Sequence, residues 1–101
     1  MRINGKEYEL RYDLTRIELC EKLTKQYFMA GLVSQGGALS ISDALIYFAN
    51  GLKKAGGTDY VKSQNAQVLA RQHLKEAGYA TFCGEILQQV QEDCGFLFQS
   101  A

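Results

Sequence analysis

His73 and the cysteines Cys20, Cys83 and Cys94 are the side chains of this sequence that could support nucleophilic catalysis. A cysteine nucleophile needs a base within hydrogen-bond reach and a further group that orients the base. His73 could meet Cys83 or Cys20 across a core, but it lies in the middle of an apolar helical stripe. This placement favours a core histidine with one ring nitrogen bonded to the backbone or to water, and it favours buried free thiols.

The same cysteines lack the spacing of a disulfide or a metal site. No two form a CxxC pair, and Cys83 and Cys94, eleven residues apart, would be separated by about 16 Å along a helix. A disulfide needs Cα atoms within about 7 Å of each other. Zinc requires a set of closely spaced ligands, which one histidine and scattered cysteines do not supply. We therefore expect no metal ion and no other cofactor.

Two carboxylates, Glu7 and Glu9, alternate with apolar residues and so share one face of a strand. Paired carboxylates can divide acid and base roles between them. Beside Arg11 on a solvated face, however, they are better interpreted as solubilising charges. The sequence also contains neither GxxxxGKS/T nor GxGxxG, the loops that hold nucleotide phosphates. These patterns predict that the protein is not an enzyme.

The composition restricts the class of protein further. With 101 residues, of which 47% are hydrophobic and 22% charged, the chain is expected to form one globular domain over residues 1–101. Eleven basic residues balance eleven acidic ones, whereas proteins that depend on phosphate contacts usually carry a basic excess. We found no apolar run near the ~20 residues of a membrane helix, and the first residues lack the apolar stretch of a signal peptide. The sequence predicts a cytoplasmic protein that is not secreted and binds neither nucleic acid nor membrane.

The elements that must position these side chains begin with a β-hairpin over residues 1–12. Asn4-Gly5 favours a type I′ turn, because both central positions of that turn need positive φ. Tyr8, Leu10 and Tyr12 then alternate with charged residues, which indicates a strand with one apolar face. The edges of this hairpin over residues 6–11 are expected to be free for pairing with another chain.

A helical core is predicted over residues 13–95. The first helix, capped by Asp13 or Thr15, should run from Leu14 to about Ala30. Its expected apolar arc comprises Leu14, Ile17, Cys20, Leu23, Tyr27 and Phe28. A loop at Gly36-Gly37 separates it from the second helix.

Ser40 opens that second helix, which extends through Lys53-Lys54 to Gly56-Gly57. A third helical stretch is expected from Thr58 or Asp59, with a break near residues 63–65, to Gly78. The fourth runs from Tyr79 to Gly95. The fold class is therefore mainly α (α+β), a short N-terminal hairpin packed on a bundle of about four helices. The residues expected in its core are Leu10, Ile17, Leu45, Phe48, Leu74, Ile86 and Val90.

Two features favour protein binding. Beyond the last helix, residues 96–101 form a tail that begins Phe96-Leu97-Phe98. This segment either folds back onto the core or presents an apolar plug to a partner. Together with the hairpin edge it defines a candidate partner interface of Lys6, Tyr8, Leu10, Phe96, Leu97 and Phe98. Zero net charge removes repulsion between copies, and we expect a homo-oligomer. Arg71 and Lys75 on the third helical stretch could face a DNA groove, but the neutral, partly acidic surroundings argue against it.

The segment Ile3-Asn4-Gly5-Lys6-Glu7-Tyr8-Glu9-Leu10, with Asp13-Leu14 after it, resembles the start of tail assembly chaperones from long-tailed phages and prophages of Gram-positive bacteria. The apolar second helix, over residues 42–53, is similar to the "ALLYAGLK"-like segment of that family. An acidic, Gln-rich last helix, over residues 85–93, is also typical of it. The resemblance is closest in the first half of the chain.

This resemblance implies a non-enzymatic function with no catalytic residues and no cofactor. Such chaperones coat the long helical tape measure protein while the tail is built, in the cytoplasm of the bacterial host, and help to recruit tail tube subunits. The implied partners are therefore the tape measure protein and the tail tube protein. The alternative is another phage structural or connector protein, or a bacterial protein-interaction adaptor.

Overall fold

A computed structural model describes residues 1–29 and 39–98 of the chain. Within these ranges the fold is mainly α-helical, with a small antiparallel sheet at the N-terminal end. The elements are β1 (Arg2–Ile3), β2 (Lys6–Leu10), α1 (Leu14–Thr24), α2 (Ile41–Gly51), β3 (Leu52–Lys54), α3 (Ser63–Ala77) and α4 (Tyr79–Asp93), followed by a 3₁₀ turn (Gly95–Phe98). The predicted end of the first helix at Ala30, the Gly36-Gly37 loop and residues 99–101 lie outside the described residues.

The sheet has the strand order β1-β2-β3. The predicted turn is confirmed, because Asn4 and Gly5 have φ values of 53° and 74°. The third strand was not predicted: the sequence indicated that Leu52 to Lys54 end a helix, whereas they pair with β2 so that Leu52 faces Leu10. As a strand, this segment buries Leu52 completely and leaves Lys54 exposed.

The expectation of a free hairpin edge over residues 6–11 is wrong. β2 is the central strand, with β1 on one side and β3 on the other. The outer edge of β3 is also engaged, since Lys53 forms a bridge with Tyr60 and the Val61 N–H donates to the Leu52 carbonyl at 2.9 Å. The backbone groups of β2 are therefore largely used within the chain, and strand addition there has little room.

α1 begins as predicted but ends early. The Asp13 carboxylate caps it by accepting from the Arg16 N–H at 2.8 Å. The helix ends at Thr24, because Lys25 adopts a left-handed conformation with φ 59°. Of the predicted apolar arc, Ile17, Cys20 and Phe28 are buried, whereas Leu14, Leu23 and Tyr27 are 55%, 50% and 77% exposed. Only half of the residues of the predicted arc therefore pack into the core.

α2 is the central helix of the core. Ser40 caps it as predicted by accepting from the Asp43 N–H at 3.1 Å. At its last residue, Gly51, an added Cβ would lie 2.5 Å from the Tyr12 ring. Glycine is therefore needed here to let Tyr12 pack against the helix end.

α3 and α4 form a helical hairpin that packs on α2. α3 begins at Ser63 without the preceding helical stretch, and Gly78 separates the two helices with φ 88°. The buried side chains form one hydrophobic core. The core prediction is confirmed for Leu10, Ile17, Leu45, Phe48, Ile86 and Val90. Leu74 is only partly buried at the edge of this core.

Candidate protein-interaction surfaces

His73 is held in place by side chains from two other elements. Its ring stacks on Phe48 at a centroid distance of 5.2 Å, and its Nε2 lies 2.8 Å from a Glu85 carboxylate oxygen. The partner is thus a carboxylate, rather than the backbone group or water expected from the sequence. A histidine 8% exposed and bonded to Glu85 joins α3 to α4. Glu85 lies twelve residues after His73 in the sequence. That spacing alone does not predict the contact, because the two side chains meet only when the chain turns at Gly78 between α3 and α4.

The cysteines are free and buried, as predicted. Burial raises the pKa of the Cys20 thiol to about 12, against an ordinary value of 9.0. Burial also raises the pKa of Cys94. The thiolate is the nucleophilic form of cysteine, so these two thiols remain protonated and unreactive at neutral pH.

Neither a metal centre nor a membrane helix is found in the described part of the chain. Across residues 1–29 and 39–98, His, Cys, Asp and Glu side chains do not come together in groups of three or more that could hold a metal ion. Among the helices over the same residues, none combines the length and the apolar character that crossing a membrane requires.

The hairpin part of the candidate interface is largely internal. Tyr8 and Leu10 are only 7% and 3% exposed, because their face of β2 packs on the helices. Lys6 is exposed on the same strand, where it lines a cleft together with Lys54 and the exposed Val68. The six candidate residues therefore do not form one surface, since two of them belong to the core.

The C-terminal part of the candidate interface is more accessible. Phe96 is 50% and Phe98 38% exposed, whereas Leu97 is partly buried against the core. Leu97 therefore folds back onto the core, whereas the two phenylalanines remain in contact with solvent. The Phe98 ring meets Phe28 edge-on at a centroid distance of 6.2 Å. Hence the turn lies beside the end of α1.

We call this region the aromatic end and define it as residues 27–29 together with residues 96–98. Tyr27 and Met29 flank Phe28 in sequence and are 77% and 41% exposed. Such a group of large exposed apolar side chains is typical of a protein contact surface. The sequence predicted its C-terminal half but assigned Tyr27 to the core arc of the first helix, whereas Phe28, assigned to the same arc, is buried as predicted.

Asp93, which ends α4 just before the C-terminal half of the aromatic end, makes contacts that the sequence did not indicate. One Asp93 oxygen accepts from the Arg11 guanidinium at 3.0 Å, and the other accepts from the Tyr12 N–H at 3.0 Å. The turn that follows is held by a bond from the Leu97 N–H to the Cys94 carbonyl at 3.0 Å. The phenylalanines therefore project from a turn that is anchored to the start of the chain.

Next to the aromatic end lies a buried polar atom that has no partner among the described residues. The Tyr47 ring contacts Phe28 at a centroid distance of 5.4 Å. Its hydroxyl is buried and has no hydrogen-bond partner among the described residues. Burial raises the pKa of Tyr47 above its ordinary value. An unpaired buried hydroxyl lowers stability, so the core is less well satisfied here than elsewhere.

These features define the class of site: an exposed aromatic surface beside an anchored turn, suited to protein contact. Comparison with known proteins does not narrow this class. No protein-family model, no curated protein and no solved structure matches the chain. The aromatic end is therefore interpreted from its own geometry.

Proposed function

We propose that the protein is a non-enzymatic tail assembly chaperone, which binds the tape measure protein through the aromatic end and helps to recruit tail tube subunits in the cytoplasm of the bacterial host. The observation that supports binding is the exposure of Phe96 and Phe98 on an anchored turn. Burying a large apolar side chain contributes about 1.5–3 kcal/mol. The tape measure protein and the tail tube protein enter from the resemblance of the sequence alone.

A helical partner suits the aromatic end because its large side chains are grouped rather than spread along a strand. An amphipathic helix can lay its apolar stripe against such a group. The raised pKa of Cys20 and the engagement of His73 by Glu85 are consistent with a role that involves no covalent chemistry.

The experiment is size-exclusion chromatography with light scattering on the full chain, alone and with a helical segment of a tape measure protein. We expect a complex that persists in high salt, because apolar burial depends little on ionic strength. Replacing Phe96→Ser should weaken binding about tenfold. Leu14→Ser is the matched control, since Leu14 is 55% exposed but lies at the opposite end of α1.

The proposal fails if the chain ignores the tape measure segment, or if moderate salt abolishes the complex. It also fails if Leu14→Ser weakens binding as much as Phe96→Ser, because the contact would then be non-specific. Recruitment is tested by adding tail tube protein to the complex. A ternary species supports the second part of the proposal, and exclusion of the tape measure segment by tail tube protein overturns it.

A further inference from the structure

The zero net charge of the chain conceals an uneven distribution of charge. Residues 52–77, which include β3 and α3, carry five basic and two acidic side chains, an excess of three positive charges. Residues 79–98, which include α4, carry three carboxylates and no basic side chain. Residues 1–51 carry six of each sign. Two consecutive helices therefore present opposite charges.

A cleft of about 360 Å³ lies between the sheet and α3, and of the five basic side chains of residues 52–77 it is lined by Lys54. We call it the lysine cleft; Lys6 and Lys54 line it together with apolar side chains that include Leu69 and Val68. Val68 is 64% exposed although it is apolar. In the part of the chain that the structure describes, none of the ion pairs within 4.0 Å contains a lysine. The cleft thus combines uncompensated positive charge with exposed apolar surface.

The acidic side forms a second cleft of about 360 Å³, between β2 and α4. We call it the acidic cleft; its carboxylates are Glu9, Glu85 and Glu92. Glu9 lies 3.8 Å from the Arg11 guanidinium, and Glu85 lies 2.8 Å from His73. Glu92 takes part in none of the described ion pairs and accepts only from the Gln88 amide, at 3.4 Å. It is therefore the carboxylate of α4 best placed to meet a cation from outside.

We propose that a second copy of this chain occupies the lysine cleft with the acidic face of α4, in a two-fold symmetric dimer. Tyr8 lines both clefts, so they are neighbours on one molecule. A two-fold axis can then set each lysine cleft against the acidic cleft of the other copy, and both contacts form at once. Complementary charge selects this occupant, and burial of Val68 adds apolar contact.

A nucleic acid would also meet the lysines, but the adjacent acidic cleft argues against it. A phosphate chain that extends beyond Lys6 and Lys54 would approach Glu9 and Glu92, which repel it. A second copy of the protein offers the opposite sign at both clefts. The second copy is therefore the favoured occupant, and a nucleic acid is one of the outcomes that the experiment distinguishes.

The experiment measures the molar mass of the full chain by light scattering. In low salt the mass should be twice 11.3 kDa, and it should fall to the monomer value in about 1 M salt, where the screening length is about 3 Å. Lys54→Glu and Glu92→Lys should each raise the dissociation constant at least about tenfold, because like charges then face each other. An equimolar mixture of the two variants should dimerise again, since every contact in the mixed dimer joins opposite charges.

Lys22→Glu is the control, because it makes the same change in net charge on the exposed face of α1. It should leave the dimer intact. The proposal is overturned if the unaltered chain is monomeric in low salt, if Lys22→Glu acts like Lys54→Glu, or if the mixture remains monomeric while circular dichroism shows both variants folded. Binding of single-stranded DNA by a monomer, lost in Lys54→Glu, would also overturn it. The experiment needs no tape measure protein, so its failure leaves the proposed function standing.

Discussion

The last helix meets the first half of the chain at two places that differ in how fully their groups are paired. At the first, around Tyr12, polar groups find close partners: the Tyr12 hydroxyl donates to the Tyr47 carbonyl at 2.7 Å, and Asp93 accepts from the Tyr12 N–H at 3.0 Å. At the second, the aromatic end, Phe96 and Phe98 remain exposed and the Tyr47 hydroxyl has no partner among the described residues.

Tyr47 belongs to both places, which makes the difference easy to interpret. Its carbonyl lies on the paired side and its hydroxyl on the unpaired side. Buried polar groups are normally hydrogen-bonded. The polar groups around Tyr12 meet this rule, whereas among the described residues the Tyr47 hydroxyl at the aromatic end does not. Stability is thus expected to depend on the contacts around Tyr12, and binding on the aromatic end.

The largest expected effect is on the core that both places share. Phe48 is fully buried and stacks on Phe82 at a centroid distance of 4.5 Å. Phe48→Ala should lower the free energy of unfolding by about 3–5 kcal/mol, because it removes a large side chain and leaves a cavity. Phe96→Ala, at a half-exposed position, should change it by less than about 0.5 kcal/mol. Urea denaturation measures both, and equal losses would remove the distinction between core and aromatic end.

Local signals in the sequence were sufficient for the hairpin turn, the helix caps and the position of Gly78. Asn4-Gly5, Asp13 and Ser40 act on groups within a few residues, so their effect does not depend on the rest of the fold. The same holds for the stripes of α2 and α4, whose buried positions follow the helical period.

The remaining features depend on contacts between distant residues, which no local pattern reveals. β3 forms because Leu52 can pair with Leu10, although Lys53-Lys54 also suits the end of a helix. Arg11 and Asp93 are 82 residues apart in sequence. In the candidate interface, the exposure of Phe96 and Phe98 could be predicted because they lie beyond the end of the last helix. The burial of Tyr8 and Leu10 results instead from helices that pack over them.

Removing the Asp93 carboxylate should have the next largest effect. Asp93→Ala removes the partner of the Arg11 guanidinium and leaves the Tyr12 N–H without its acceptor. We expect a loss of about 1.5–3 kcal/mol in the free energy of unfolding, the range for hydrogen bonds to charged groups. Glu18→Ala, on the exposed face of α1, is the control and should cost less than about 0.5 kcal/mol. If the two variants are equally stable, Asp93 does not anchor the turn.

Alkaline pH should destabilise the core through Cys20. Burial raises the pKa of this thiol from 9.0 to about 12 in the folded state, while the unfolded chain ionises near the ordinary value. Between these two pH values the unfolded state binds fewer protons, so stability falls by about 1.4 kcal/mol per pH unit. Below pH 9.0 the contribution of Cys20 is constant.

The measurement is urea denaturation from pH 8 to pH 10, with Cys20→Ala as the comparison. That variant loses packing at every pH, so its slope against pH is compared rather than its absolute stability. A smaller slope in Cys20→Ala is expected. Identical slopes would show that other groups cause the alkaline loss.

The smallest expected effect distinguishes the two places most directly, by removing one hydroxyl from each. Tyr12→Phe deletes a buried donor that is bonded to the Tyr47 carbonyl and should cost about 0.5–1.5 kcal/mol. Tyr47→Phe deletes a hydroxyl with no partner among the described residues, so it should be neutral or slightly stabilising. Both changes keep the ring and remove a single oxygen, so packing is matched. Thermal and urea unfolding measure the difference in stability. If Tyr47→Phe loses as much stability as Tyr12→Phe, the Tyr47 hydroxyl is hydrogen-bonded in solution. The polar groups at the aromatic end would then be as fully paired as those around Tyr12.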